Sequence, residues 1–274
     1  MFALGIIGYG SMGSMLLNGF LSKGVLSPEQ AIVATRTRSK LDPLKNHWPG
    51  VTIADNNAAL ARQSKIVLIA VKPKDVKPVL DEIRGSLPQD AHLVLISAGV
   101  GIEDAGSVFP GKISKMIPSM TMETGMGVAL ACHNDQVTAT DAARIEGLFG
   151  AISETRRIDE NDFEAAADLT SCAPGLFAAM VQEFVNAGMR HSQLSREDAE
   201  AMVITTLYGT AKLLAEQKMS TEELINRVAT KGGITEEGVK VLRKELPGTF
   251  DDVFHATLTK YGVVKAAIKA QFKN

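Results

Sequence analysis

Short apolar runs alternate with helix-like stretches through the first half of the chain. FALGII (2–7) predicts a strand, and the stretch from about Met12 to Lys23 predicts a helix behind it. AIVATR (31–36), SKIVLIAV (64–71) and HLVLISA (92–98) predict further strands, and KISKMIP (112–118) and GVALAC (127–132) extend the series. Runs that are apolar throughout, with helices between them, imply a mostly parallel sheet covered on both faces. From about Glu160 the pattern changes to helix formers with few β-branched runs. Helices are predicted over 174–189, 195–217, 220–229, 234–245 and 249–271, with Pro174–Gly175, Gly188, Gly232–Gly233 and Pro247–Gly248 as punctuation. TRRIDEND, around 156–161, is a charged break, and the expected boundary lies there: residues 1–158 as an α/β domain and 159–274 as an all-α domain.

The first strand runs straight into GYGSMG (8–13), a GxGxxG spacing followed by a helix. In that context Gly8 permits a tight turn, Gly10 lets backbone approach a pyrophosphate, and Gly13 allows close helix–sheet packing. The free N–H groups of the helix start, at Ser11 and Met12, suit an anion. The plain alternative is a structural glycine bend. The end of the second strand selects between cofactors. NAD-binding versions of this fold carry an acid there to hold the ribose hydroxyls. ATRTRSK (34–40) has none; Arg36, with Thr35 and Thr37 beside it, suits a 2′-phosphate. The alternative is an exposed basic loop. AVKP (70–73) and SAGV (97–100) end two further strands at the edge where ligands bind in open parallel sheets, which makes Val71, Lys72, Pro73, Ala98 and Gly99 candidates for the same cofactor. Lys72 has the alternative of an ordinary loop lysine.

Composition narrows the partners. With 29 Lys and Arg against 31 Asp and Glu, the formal charge is -2, which gives no electrostatic case for nucleic acid or an anionic membrane. No apolar run approaches the length of a membrane span, and no leader pattern precedes the glycine turn. The two cysteines, Cys132 and Cys172, stand far apart, so a reduced cytoplasmic setting is expected. The five histidines show no metal-ligand spacing, and no metal is expected. The helix EAMVITTLYGTAKLL (200–214) has more apolar positions than one solvated face allows, so a partner subunit is expected to cover it.

GYGSMG (8–13), ATRT (34–37), AVKP (70–73), SAGV (97–100), MIPS (116–119), NAGMRHSQLSREDA (186–199), TLYGTAKLL (206–214) and TKGGITEEG (230–238) occur in this order over nearly the whole chain. Together they resemble the pyrroline-5-carboxylate reductase family. The resemblance implies an N-terminal Rossmann dinucleotide-binding domain followed by an all-α dimerisation domain. It implies NADPH as cofactor, with NADH weaker, a homodimer that can assemble further, and reduction of 1-pyrroline-5-carboxylate to L-proline. Against the family pattern, Ser119 stands for an asparagine near the nicotinamide, Lys115 for an arginine, Cys172 for a serine, Lys231 for a proline and Ile234 for a threonine. Thr230, Gly232, Gly233 and Thr235 keep the pattern. The replacements cluster at the expected substrate pocket. They favour, as alternatives, a divergent paralogue reducing another cyclic imino acid, or a dinucleotide-binding regulatory protein without turnover.

Reducing a cyclic imine asks little acid–base machinery of the protein, and neither a Ser–His–Asp pattern nor a carboxylate pair is evident. The substrate carboxylate needs fixed donors, which N–H groups of Gly233 and Ile234 can supply at a helix start. Thr235 is the expected catalytic hydroxyl, bonding the imino acid at its nitrogen or carboxylate. Thr230, Gly232, Gly233, Ile234 and Cys172 complete the expected substrate set. The competing reading makes Thr235 only an N-cap and Cys172 only a small buried apolar residue. The lysines at 265, 269 and 273 mark a solvated helix face.

Overall fold

The protein is described by a computed structural model, with residues 1–273 described; Asn274, the last residue of the tail VVKAAIKAQFKN (263–274), lies outside the described residues. The chain forms two compact units, Met1–Cys172 with the chain from Thr257 onward, and Ala173–Ala256. The first unit therefore continues past residue 158 and includes the end of the last helix.

In the first unit β1 (Phe2–Ile7) leads into α1 (Ser11–Ser22), then β2 (Ala31–Ala34), α2 (Asp42–His47), β3 (Thr52–Ile53) and α3 (Asn57–Gln63). β4 (Ser64–Ile69), α4 (Pro73–Ile83), β5 (His92–Leu95), α5 (Ile102–Gly106) and β6 (Lys112–Ile117) follow. The sheet order is β3-β2-β1-β4-β5-β6, continued by β7 (Val128–His133) and β8 (Glu154–Arg157), with α6 (Ala139–Gly150) between those last two. β1 to β6 are parallel; β7 runs antiparallel to β6, and β8 parallel to β7. β1 is central, paired with β2 through Ile6↔Val33 and with β4 through Ile6↔Leu68. Its alternation feeds two cores: Leu4 and Ile6 join Leu16, Phe20 and Phe149 on one face, and Ile7 joins Leu60, Val76 and Leu80 on the other. Burial on both faces is why these strands are apolar throughout.

The sheet departs from the expected series at two strands. β3 is two residues long, too short for a pattern. β8 is built from Glu-Thr-Arg-Arg, part of the stretch read as a charged break. It lies at the sheet edge, where charged side chains stay in water and discourage further pairing.

A polar row crosses the sheet. His92 Nε2 on β5 and Ser114 Oγ on β6 are 2.6 Å apart; Ser114 Oγ and His133 Nδ1 on β7 are also 2.6 Å apart. His133 Nε2 meets Glu146 Oε1 at 2.9 Å, and Arg157 Nε donates to the same oxygen at 2.9 Å. His92 and Ser114 are buried, and burial lowers the His92 pKa from 6.5 to about 4.

α7 (Phe163–Ala167) runs into a single π-turn, Asp168–Cys172, and then α8 (Ala173–Arg190). α9 (Arg196–Ala215), α10 (Thr221–Val228) and α11 (Ile234–Phe272) complete the chain. Two helices were expected where α11 is one, and Pro247–Gly248 lies inside it. A proline removes one intrahelical bond, and in a helix of 39 residues the turns on either side still propagate. Pro174 and Gly188 likewise fall within α8, Pro174 directly behind the π-turn. Gly232–Gly233 does separate α10 from α11.

In the unit Ala173–Ala256, only Ala173, Val185 and Ala199 are buried among the described residues. Large apolar side chains stand in the open on α8 and α9, including Phe184 at 70% exposure and Tyr208 at 67%, with Phe177, Met202, Ile204 and Leu207 also exposed.

Candidate active site

A cleft of about 590 Å³ opens at the carboxyl ends of β1, β2 and β4. Gly8, Gly10, Thr35, Arg36, Thr37, Val71 and Lys72 line it together, so these sequence candidates share one site. The turn after β1 explains the glycines. Gly8 has φ +102°, and a Cβ there would lie 2.4 Å from the Ala70 carbonyl oxygen. A side chain is excluded twice over, by strain and by backbone contact. Gly10 faces open space, and α1 begins beyond it with no side chain capping its first turn. A Cβ on Gly13 would lie 2.2 Å from the Gly8 carbonyl oxygen, so its role is to let α1 sit against the turn. Ser11 and Met12 provide the first turn of α1, and Pro73 the first turn of α4.

The wall formed after β2 is basic. Arg36 is exposed and pairs with no carboxylate among the described residues, whereas Arg38 Nη2 donates to the Asp55 carbonyl at 2.9 Å. Arg38, Lys40 and Asn56 also line the cleft. Arg38 and Lys40 were visible in the same ATRTRSK segment; Asn56, which caps α3 through its side chain, carries no signal beyond that cap.

The remaining cofactor candidates lie outside the cleft lining. Ala98 and Gly99 border a small cavity with Lys115, Ile117, Phe163, Glu164, Ala167 and Tyr261. Gly99 is buried because α11 packs on it: a Cβ there would be 3.1 Å from Ile268 Cδ1 and Val264 Cγ1. Ser119 is fully buried, and its Oγ donates to the Thr170 carbonyl at 3.1 Å. Lys115, the arginine replacement, is nearly buried, pairs with Glu160 at 3.3 Å and lies 4.9 Å from the centre of the Phe163 ring.

Cys172 ends the π-turn, with its Sγ 3.3 Å from Tyr261 Oη. Burial raises the thiol pKa, the Tyr261 hydrogen bond opposes that rise, and the Asp168 carboxylate adds to it, so the sulfur is held as the neutral thiol. Burial also raises the Tyr261 phenol, with further upward push from Cys172, Asp168 and Glu164. Asp168, Thr257 and Tyr261 carry no such signal in the sequence; Asp168 is one of two acids in EAAADL, with Glu164.

Thr230, Gly232, Gly233, Ile234 and Thr235 belong to the other unit. Gly233 N–H donates to the Thr230 carbonyl at 2.8 Å, and Gly232 N–H donates to Glu236 Oε2 at 2.7 Å. Ile234 is 95% exposed and begins α11. Thr235 is thus the second residue of the helix and not its N-cap. The loop is closed instead by the Glu236 carboxylate, reaching back as acids of the first turn do.

A parallel sheet with a glycine turn at its carboxyl edge, a basic wall after its second strand and a helical unit with apolar faces define a Rossmann-type dinucleotide-binding oxidoreductase. Residues 3–101 match the family model NADP oxidoreductase coenzyme F420-dependent, and 160–263 match pyrroline-5-carboxylate reductase dimerisation. The chain is 36% identical over 269 residues to pyrroline-5-carboxylate reductase 3 of Bacillus subtilis, covering 98% of both chains. It is 32% identical over 249 residues to pyrroline-5-carboxylate reductase of Methanobrevibacter smithii, covering 88% of this chain and 97% of that one. The crystal structure of Plasmodium falciparum pyrroline carboxylate reductase with NADP bound superposes with TM-score 0.81 at 24% identity, over 99% of this chain and 98% of that one. The chain belongs to the pyrroline-5-carboxylate reductase family.

Proposed function

We propose that this chain reduces 1-pyrroline-5-carboxylate to L-proline with NADPH. The observation that carries the reading is its 36% identity, over 98% of both chains, with a reductase named for that substrate. NADPH fits the cleft: open space at Gly10 admits a pyrophosphate, and Arg36 stands exposed where a 2′-phosphate would lie. NADH is the weaker substitute, since it lacks that phosphate. When bound, the cofactor supplies the hydride that goes to the imine carbon. The chain's own work is to bind, orient and keep the imine nitrogen electrophilic.

In this reading residues 1–158 hold the cofactor, through Gly8, Gly10, Ser11, Met12, Gly13, Thr35, Arg36, Thr37, Val71, Lys72 and Pro73; Ala98 lies outside the cleft, Gly99 is covered by α11 and Ser119 is fully buried, so these three leave the set. Residues 159–274 carry the substrate loop and the dimer contact. The Ile234 N–H holds the substrate carboxylate, since the expected second donor, the Gly233 N–H, is taken by the Thr230 carbonyl, and the Thr235 hydroxyl bonds the imino acid. Thr230, Gly232 and Cys172 complete the proposed substrate set. The exposed apolar faces of α8 and α9 pack against a second copy, and such dimers assemble further. No helix among the described residues is long and apolar enough to cross a membrane. The enzyme works in the cytoplasm, where Cys132 and Cys172, both free, stay reduced.

NADPH oxidation measured against a panel of cyclic imino acids tests the function. Highest kcat/KM on 1-pyrroline-5-carboxylate is expected. Preference for a different ring would assign the chain to another cyclic imine, as Ile234, Ser119 and Cys172 favour. NADPH binding without oxidation of any member would overturn the enzymatic reading.

A further inference from the structure

The cleft holds an acid that its surroundings do not compensate. Glu82 lies in the last turn of α4 and lines the cleft. A carboxylate there faces the negative end of the helix dipole, and α4 has no basic residue in that turn to offset it. The neighbouring Asp81 is paired with Lys77 at 2.6 Å, whereas Glu82 has no cationic partner among the described residues. Asn57, the first residue of α3, donates from Nδ2 to Glu82 Oε2 at 2.7 Å. That bond joins α3 to α4, holds the carboxylate at the cleft and leaves Oε1 without a protein donor among the described residues.

An unpaired carboxylate works against a cleft that takes a polyanion, unless it meets a hydrogen-bond donor of that ligand. Asp75, also in the lining, differs: it stands in the first turn of α4, where the dipole favours an acid. With the 2′-phosphate at Arg36, the base on the same ribose is one glycosidic bond from that sugar. Ala54, Pro78 and Val79 give the lining apolar surface for a flat ring on the side of the cleft that carries Asn57 and Glu82. In the adenosine half of the cofactor the amino group of adenine is the N–H donor, while the phosphate oxygens only accept. A held carboxylate oxygen is a strong acceptor for such an N–H.

We propose that Glu82 is a specificity-determining residue that reads the base of the cofactor: its Oε1 accepts a hydrogen bond from the adenine amino group. Asn57 is a positioning residue that fixes the carboxylate through Oε2. This rests on the reading that NADPH occupies the cleft with its 2′-phosphate at Arg36. Cofactor choice then has two separate readers, Arg36 for the phosphate and Glu82 for the base. A base without an N–H at that edge leaves the carboxylate unpaired and is bound less tightly.

The test titrates the full-length protein by calorimetry with NADP⁺, NAD⁺ and the NADP⁺ analogue whose base is unsubstituted purine. That analogue lacks the amino group and is otherwise unchanged. Wild type is expected to bind NADP⁺ about five- to tenfold more tightly than the purine analogue, the range for one hydrogen bond at a solvated site. Glu82→Gln keeps an oxygen for Asn57 and turns an N–H donor toward the base, so NADP⁺ and the analogue should bind within about twofold of each other. Its preference for NADP⁺ over NAD⁺ should stay within about twofold of wild type, because Arg36 is untouched. Asn57→Ala removes the positioning bond and leaves the carboxylate, so a smaller preference for adenine should survive. Equal binding of NADP⁺ and the analogue by wild type overturns the proposal, whether or not any variant folds. So does a Glu82→Gln protein that keeps the wild-type preference, since Glu82 would then be only a clasp between two helices. In both cases tight NADP⁺ binding, with NAD⁺ weaker, leaves the reading of the cleft standing. A wild type that binds none of the three dinucleotides overturns that reading and this proposal together.

Discussion

Acid should weaken this fold through His92 before it weakens it through the carboxylates. His92 is 4% exposed on β5, and its Nε2 is tied to Ser114 Oγ. Burial moves its pKa from 6.5 to about 4; Asp141 opposes the shift, and His133 and Lys112 add to it. A histidine depressed in the folded state binds its proton more readily when the chain unfolds. Its contribution is therefore complete above pH 6.5, erodes as pH falls below that value, and is lost by about pH 4. A shift of about 2.5 pKa units corresponds to about 3 kcal/mol in full, at 1.36 kcal/mol per unit. At pH 5 the expected share is about 2 kcal/mol. Asp141, held down at about 2 by Lys112 and Thr138, keeps its charge at that pH, so the two effects separate. The assay is urea unfolding of wild type and His92→Gln, at pH 7.5 and 5 and at one protein concentration. The glutamine retains a partner for Ser114 and does not titrate. Wild type should lose about 2 kcal/mol more than the variant between the two pH values. Equal losses would refute the reasoning and move the acid sensitivity elsewhere.

Arg36→Ala should raise KM for NADPH by about 10–100-fold with little change for NADH, as the loss of a charge-assisted contact worth about 1.5–3 kcal/mol requires; equal changes in steady-state kinetics would show that Arg36 does not read the 2′-phosphate. The exposed Phe184 and Tyr208 faces call for a dimer, so sedimentation at micromolar concentration should give twice the chain mass, and an active monomer would contradict that.

How much was legible depended on whether the signal was local. β1, β4 and β5 announced themselves because both of their faces are buried, leaving no polar interruption to blur the run. The glycine turn was equally plain: Gly8 is set by a positive φ and by the backbone of Ala70, constraints that only one residue type satisfies. β8 was hidden because an edge strand need not be apolar, and α11 was split because Pro247–Gly248 outweighs its surroundings in any local reading. The polar row needed one side chain from each of three neighbouring strands, and the Asp168–Thr257 contact joins positions 89 apart. Neither leaves a spacing to find. Much of the cleft lining was therefore legible from local segments, whereas the polar groups around Cys172 emerged only with the tertiary structure.

Thr235 turns that distinction into a measurement. As an N-cap its hydroxyl would hold up the start of α11, and its loss would cost about 1 kcal/mol of stability. The helix instead begins at Ile234, and the Glu236 carboxylate takes the Gly232 N–H. The Thr235 hydroxyl is therefore not what closes the loop. Valine keeps the β-branched shape and has nearly the same helix propensity, so Thr235→Val should change stability by less than about 0.5 kcal/mol. If the hydroxyl bonds a charged imino acid, kcat/KM should nevertheless drop by about 10–100-fold, from a loss of about 1.5–3 kcal/mol in transition-state stabilisation. NADPH affinity should stay within about twofold, because the glycine turn belongs to the other unit. Thermal unfolding and steady-state kinetics on the same preparation decide the matter. A variant that unfolds earlier but turns over normally would return Thr235 to a capping role, and the substrate carboxylate would have to be held elsewhere than at Ile234.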